Sequence, residues 1–203
     1  MPVFFICFIV FLLWLRVKLK HQDDLETQNK DFWQQEHEAD FSRNKDISNL
    51  DYIHISKVSL PFEESPNDIE IKQIQDDITT VISKKMINLS GMTNTDIKLA
   101  YGRGNFEILS IYDQNYLKLL SLLNKWGTYL LNHNRYDEAK QVFEYAINTL
   151  DCDVSGCYTG LATIYMKDNE IDKIRQLIDK IQSSDAYLKD SITAKLEKIL
   201  QSY

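Results

Sequence analysis

The residues best suited to chemistry in this chain are two cysteines and one histidine. Cys152 and Cys157 are separated by four residues, and Asp151 and Asp153 flank the first of them. Thiolates and imidazoles are preferred zinc ligands, so with His133 these residues could contribute to a metal site. A structural zinc site needs four ligands, however, and no second cysteine pair is present. We therefore expect a small buried thiol in a loop between helices, and no metal or other cofactor.

Catalytic patterns are weak elsewhere in the sequence. The four histidines are scattered, at His21, His37, His54 and His133. No H-E-x-x-H motif includes them, and no serine lies in a G-x-S-x-G motif. We predict that the chain is not an enzyme. The alternative, an enzyme with an unrecognised site, would require a deep polar pocket with perturbed titratable groups.

Two short motifs have simpler interpretations. Gly102-Arg103-Gly104 resembles a fragment of a phosphate-binding loop, but neither a strand nor a Lys-Ser/Thr pair accompanies it, which favours a turn between helices. Asn88-Leu89-Ser90 matches the glycosylation acceptor pattern, which has meaning only on a secreted face.

Composition indicates a globular chain and argues against a nucleic-acid partner. Of 203 residues 44% are hydrophobic, with only 6 Gly and 3 Pro, so a core can be buried. The net charge is −7, and Arg16, Lys18 and Lys20 are the charged residues among the first twenty, so residues 21–203 carry the remaining −10. Such a body repels phosphate backbones. The odd cysteine count, three, argues against a disulfide framework.

The first twenty residues predict a membrane anchor. Residues 3–15 are apolar without a charge, and a helix over residues 1–19 would span about 28 Å, close to a bilayer core, with Trp14 at the interface. The basic residues follow the apolar run and no small-residue cleavage site is present, unlike a secretory signal. The positive-inside rule then predicts a single-pass protein with its body in the cytoplasm. An export signal or the opposite topology is the alternative.

Residues 21–64 predict an acidic juxtamembrane region. A helix over 25–41 carries Phe32, Trp33 and Phe41, and it is either solvated or docked through these aromatics onto the domain or a partner. Residues 47–60 predict an extended arm packed over helices, since no second strand is available to pair with them.

The remaining residues, 65–203, predict a helical domain. A helix of about twenty residues follows a cap at Ser65 or Asn67, carries Met86 on its apolar face, and ends near Gly91. A short helix follows the Thr93 region and ends at Gly102, and another opens at Asn105.

Residues 120–154 resemble one tetratricopeptide repeat, a 34-residue helix–turn–helix unit. Trp126 and Gly127 match the Leu-Gly pair of that family, while Ala139, Phe143 and Ala146 match its small, aromatic and small positions. Leu123, Leu130 and Asp151 depart from the family's Trp, Tyr and closing Pro.

Residues 155–184 are similar to a second, degenerate copy, followed by a cap helix over 185–201. Leu161, Ala162 and Tyr165 match the first helix of the family, whereas Ile174, Ile178 and Ile181 occupy its small and aromatic positions. The resemblance implies an all-α fold of antiparallel hairpins, a short α-solenoid behind one transmembrane helix.

What the resemblance implies is binding rather than catalysis. The family holds peptides or helices in a groove lined by the first helix of each repeat. The corresponding positions are Ser121, Asn124, Thr128 and Leu131 in the first copy and Gly156, Thr159, Thr163 and Met166 in the second. We therefore predict a membrane-anchored adaptor or scaffold for a protein or peptide partner that is itself membrane-associated. An exported or outward-facing accessory protein, in which Cys152 and Cys157 could be oxidised, is the alternative.

Overall fold

The computed structural model describes residues 30–64, 66 and 68–201, together with helical positions 8, 11, 14–16, 18 and 20. The described residues form helices and turns and include no β-strand, which confirms the predicted all-α class. The helices are α1 (residues 30–40), α2 (Ile69–Ile82), α3 (Asn94–Tyr101), α4 (Phe106–Asn132), α5 (Tyr136–Thr149), α6 (Ser155–Lys167), α7 (Ile171–Gln182) and α8 (Lys189–Gln201).

The chain divides into two compact units, each made of two segments. The first unit takes in Met1–Ile47 and Met92–Phe106, and the second takes in Ser48–Gly91 and Glu107–Tyr203. The sequence places α1 and α3 in different predicted regions, whereas the structure groups them in the first unit.

Polar contacts join α1 to α3 in the first unit. The Lys98 ammonium lies 3.2 Å from Glu36 and 2.8 Å from Asp40. Phe32, Trp33 and Phe41 are 52%, 68% and 77% exposed.

The caps predicted for the short helix α3 are confirmed. Thr93 and Asp96 form a capping box, in which each side chain accepts from the backbone N–H of the other. Gly102 ends the helix with φ 97°, a conformation that glycine adopts without a Cβ penalty. The segment Arg103–Asn105 is a single 3₁₀ turn leading to α4, as expected for a connection between helices.

Helix α2 is shorter than predicted. It begins after Asp68, whose side chain accepts from the N–H of Glu70, while the predicted caps Ser65 and Asn67 lie outside the described residues. It ends at Ile82, so the assignment of Met86 to this helix is wrong. Met86 is buried in a non-helical stretch, and its carbonyl accepts from the N–H of Ile53, in the arm.

Helix α4 is one continuous helix of 27 residues, whereas the sequence analysis treats its two ends as separate elements. Residues 106–126 contain no glycine or proline that would interrupt it. Its buried side chains form a stripe along its length: Leu109, Tyr116, Leu119, Leu120, Leu123, Trp126, Tyr129 and Leu130. Ile53 and Ile55 of the arm pack against this core, and the ring of Phe62, which follows the arm, lies 5.0 Å from the Trp126 ring.

The last helix begins later than predicted. Helix α8 starts at Lys189 rather than Asp185, and Tyr187, which the sequence analysis assigns to the cap helix, is 96% exposed in the preceding turn. Ile192 and Leu196 are fully buried, so α8 covers the end of the core.

The predicted membrane anchor lies mostly outside the described residues. Among the helices that the structure does describe, none combines the length and the apolar character that crossing a bilayer requires.

Candidate interaction surface

The turns of the two predicted hairpins have the same backbone geometry. Asn134, between α4 and α5, and Asn169, between α6 and α7, both have φ 60° and lie thirty-five residues apart. The next N–H in each turn reaches back five residues, from Arg135 to the Leu130 carbonyl at 2.9 Å and from Glu170 to the Tyr165 carbonyl at 2.8 Å. Asparagine is among the few non-glycine residues that tolerate this left-handed conformation. Asparagine recurs at the same place in the thirty-five-residue period, and this recurrence is a sequence signal of the shared turn that the predicted hairpins do not use.

One aromatic ring joins three helices. A Cβ on Gly127 of α4 would lie 2.4 Å from Cε1 of Phe143, and a Cβ on Gly160 of α6 would lie 2.6 Å from its Cε2. The Phe143 ring of α5 therefore fits between two glycines and is fully buried. The repeat resemblance assigns both Gly127 and Phe143 to positions where the two helices pack, but it does not identify Gly160.

The predicted packing positions are all buried. They are Trp126, Gly127, Ala139, Phe143, Ala146, Leu161, Ala162 and Tyr165. In α7, Ile174 and Ile181 are buried and Ile178 is half-buried against the same core.

The backbone at Asp151 excludes the proline that closes a tetratricopeptide repeat. Its φ is 48°, and the proline ring holds φ near −65°, so proline does not fit this backbone. The turn is closed by the N–H of Cys152, which donates to the Ala146 carbonyl at 3.0 Å.

Three of the predicted groove residues on α4 line a cavity of about 470 Å³. These are Ser121, Asn124 and Thr128, the first and last of which are exposed. The remaining lining residues are Glu70 of α2, then Lys125, Tyr129 and Asn132 of α4, and His133, which directly follows α4. The cavity thus carries one carboxylate, one ammonium group and one imidazole among amides and hydroxyls.

The groove positions on α6 are not part of this cavity. Gly156 adjoins it through Asn124, since a Cβ on Gly156 would lie 2.2 Å from the Asn124 Oδ1. The hydroxyls of Thr159 and Thr163 donate to carbonyls of their own helix. Leu131 and Met166 are half-buried and pack against the core, so they offer less surface to a ligand.

The wall of the cavity near α2 is held by a hydrogen bond to a carboxylate. The Tyr129 hydroxyl donates to Asp68, which lowers the pKa of Asp68 and raises the pKa of Tyr129 to about 12. The His133 ring stacks on the Tyr129 ring with centroids 4.0 Å apart. At neutral pH the Tyr129 hydroxyl is therefore protonated and fixed in position.

The two cysteines lie together but without a metal-binding set. Cys152 and Cys157 are buried and form no disulfide with each other, and their sulfurs lie 3.7 Å apart. In the part of the chain that the structure describes, no group of three or more His, Cys, Asp or Glu side chains is arranged to hold a metal ion.

The described residues define an all-helical chain in which two successive helix–turn–helix units share one turn geometry. Comparisons with protein-family models, with curated proteins and with solved structures give no match. Any function assigned to this chain therefore rests on its own residues.

Proposed function

We propose that this chain is a non-catalytic, membrane-anchored scaffold whose tetratricopeptide-like hairpins bind a short peptide or helix of a partner protein. The observation that carries the proposal is the repetition of the Asn134 turn at Asn169, thirty-five residues on. A turn repeated at that spacing is typical of a short helical solenoid, a class of protein that binds other proteins.

The junction between the hairpins supports this interpretation. Phe143 of the first hairpin contacts Gly127 of its own hairpin and Gly160 of the next. Because each repeat in a solenoid buries its apolar face against its neighbour, a residue shared between hairpins is expected at this place.

The cavity beside Asn124 and Thr128 is the binding site that we propose. Its amides and hydroxyls suit the backbone N–H and C=O groups of a peptide, and Glu70 and Lys125 offset each other's charge. The acidic body of the protein disfavours a strongly acidic ligand. A short neutral or mixed segment fits best.

The membrane anchor is proposed from residues 1–20 alone. The apolar run followed by Arg16, Lys18 and Lys20 supports a single pass with the body in the cytoplasm. Holding the hairpins in a thin layer beside the bilayer would raise the effective concentration of any partner held there.

Site-specific photocrosslinking in cells tests the binding site. A photoreactive residue at Thr128 or Ser121 should capture the same partner, because both positions are exposed beside the cavity. Matched control positions are Gln114, exposed on the same helix, and Gln176, exposed on α7. Equal capture at the cavity and control positions, or capture at none of them, would count against the site.

A competition step identifies the captured segment. Peptides from the crosslinked region of the partner should reduce crosslinking at Thr128, and Thr128→Glu should weaken their binding at least about tenfold by filling the cavity with a charge. Unchanged binding to this variant, with a folded circular dichroism spectrum, would place the ligand elsewhere.

Protease protection tests the topology independently. A C-terminal tag should be cleaved only after the membrane is permeabilised, and the chain should resist alkaline extraction. Cleavage in intact, wall-free cells would favour the exported alternative and overturn the cytoplasmic placement without affecting the hairpin proposal.

A further inference from the structure

Two thiols meet at the junction between the hairpins. Cys152 lies in the loop after α5 and Cys157 lies in the first turn of α6. Their sulfurs are 3.7 Å apart, and a disulfide bond is about 2.05 Å long, so a side-chain rotation and a small shift of the loop would join them. Cys152 is outside any helix, and its backbone is held by the hydrogen bond from its N–H to the Ala146 carbonyl, so rotation of the Cys152 side chain makes up most of the approach.

The two thiols differ in access. Cys152 is 1% exposed but borders a cavity of about 740 Å³ in the second unit, which Asp151, Asp153 and Tyr158 also line. Cys157 is fully buried behind it, with its sulfur 3.7 Å from the Asn124 Oδ1. A small neutral oxidant could therefore reach Cys152 first.

The two thiols also differ in acidity. The neighbouring Cys157 thiol and the N–H of Val154, 3.4 Å from the Cys152 sulfur, lower the pKa of Cys152, although burial and Asp153 oppose this. The neighbouring Cys152 sulfur and burial raise the pKa of Cys157. Since the thiolate is the nucleophile, these contacts favour attack by Cys152 and a later, resolving role for Cys157.

We propose that Cys152 and Cys157 form a redox-active dithiol that hydrogen peroxide converts to an intramolecular disulfide. The Cys152 thiolate attacks one peroxide oxygen, the O–O bond breaks, and hydroxide leaves and takes up the proton that Cys152 released. The Cys157 sulfur then attacks the Cys152 sulfenic acid, the S–O bond breaks, and a second water leaves with the Cys157 proton. Overall two thiols and one peroxide give one disulfide and two waters, with the sulfurs losing two electrons.

The disulfide would link the end of α5 to the start of α6. It would also remove the Cys157 S–H group that faces Asn124, which lines the cavity on α4. This consequence rests on the proposed binding site, whereas formation of the disulfide does not.

The test uses the full-length Cys7→Ser chain in mild detergent, which retains only these two cysteines. After peroxide treatment the chain is denatured and alkylated, and its mass is measured. Both thiols should disappear together, with a loss of about 2 Da and a linked Cys152–Cys157 peptide, and dithiothreitol should restore them. The reaction should be at least about tenfold faster than in the same chain unfolded in urea.

Two single variants assign the roles. Cys157→Ser should accumulate a sulfenic acid at Cys152 that dimedone traps, whereas Cys152→Ser should leave Cys157 alkylatable after peroxide. The proposal is overturned if the Cys7→Ser chain yields sulfinic acid without the linked peptide, forms only links between chains, or reacts no faster folded than unfolded. Because the main measurement leaves both cysteines in place, it does not depend on the folding of either variant.

Discussion

The two hairpins share a turn geometry but have oppositely charged residues at the equivalent position after the turn. Arg135 follows the turn asparagine in the first hairpin, and Glu170 occupies the equivalent position in the second. Each forms an ion pair three residues ahead, Arg135 with Glu138 and Glu170 with Lys173. Each also forms an ion pair with a residue from earlier in the chain. Arg135 pairs with Glu63, just after the arm, at 2.6 Å, and Glu170 pairs with Lys140 of α5 at 3.0 Å.

The interiors of the hairpins differ as well. The ring of Phe143 fills the gap beside Gly127, whereas the equivalent positions of the second hairpin are Ile178 and Ala162. Phe143 is fully buried and Ile178 only half-buried. The two hairpins thus share the backbone geometry of the turn and its hydrogen bonds. The packed side-chain pairs differ between them, and each pair remains complementary in size.

The largest expected difference between the hairpins concerns these two side chains. Phe143→Ala should reduce the free energy of unfolding by about 3–5 kcal/mol, since it empties a space shared by three helices. Ile178→Ala should cost roughly 1 kcal/mol because Ile178 is only half-buried. Urea unfolding followed by circular dichroism measures both. Similar losses would show that the hairpins contribute equally and would contradict the special role of Phe143.

A smaller effect is expected from adding one methyl group beside that ring. Gly160→Ala places a Cβ 2.6 Å from the Phe143 ring and should destabilise the chain by about 1–2 kcal/mol, even though alanine favours helices. The control is Ala194→Gly at an exposed position of α8, which measures the difference in helix propensity between alanine and glycine alone. Gly91→Ala does not serve as a control because Gly91 has a positive φ.

Combining Gly160→Ala with Phe143→Leu tests the contact directly. The smaller side chain should relieve the overlap, so the loss in the double variant should be less than the sum of the two single losses. Additive losses would mean that Gly160 is needed for some reason other than the ring.

The turns should respond alike to substitution. Asn134→Ala and Asn169→Ala should each cost about 1 kcal/mol, because alanine is disfavoured at φ 60°, and glycine at either position should cost less than alanine. Both substitutions of Asn134 also remove the hydrogen bond that its Oδ1 accepts from the Tyr136 hydroxyl. The same urea titration compares the four variants. A clear cost for one turn and none for the other would contradict the shared geometry.

The smallest expected effect is a pH dependence of the reversed ion pairs. Hydrogen bonds from Arg135 lower the pKa of Glu138, and hydrogen bonds from Lys173 and Lys140 lower the pKa of Glu170. A carboxylate with a lowered pKa in the folded state stabilises the fold above its unfolded value of about 4.5, and this stability is lost as the pH falls through the folded pKa.

Glu138→Gln and Glu170→Gln should therefore each lower Tm by about 1–2 °C at pH 7. The difference from the wild type should shrink below pH 4.5 in both cases. Thermal unfolding at several pH values measures it, with Glu107→Gln, an exposed residue of α4, as the control. A difference that grows as the pH falls would have the wrong sign for these pairs.

Local signals predicted some of this fold well. Thr93 and Gly102 delimit α3 because capping is settled by a few neighbouring residues. The end of α2 was not predictable in this way, since Met86 fits the helical spacing but its carbonyl bonds to Ile53, far away along the chain. A hydrogen bond between residues that are distant in the sequence is not encoded in the spacing of apolar residues within one helix.

The junction and the cavity were predicted in part. Gly127 and Phe143 follow from the repeat pattern, and the spacing of Gly156 and Gly160 on one face of α6 was a signal of close helix approach that could have revealed the second glycine contact. The wall that α2 contributes to the cavity depends on how α2 packs against α4, which residue spacing within either helix does not encode.

The position of Phe143 between two hairpins has a consequence for the growing chain. During synthesis α5 leaves the ribosome before Gly160 does, so one face of the ring stays uncovered until α6 follows. The first hairpin therefore completes its packing only once part of the second has emerged. A ribosome stalled between α5 and α6 would present an exposed aromatic face, a site at which chaperones could bind the nascent chain.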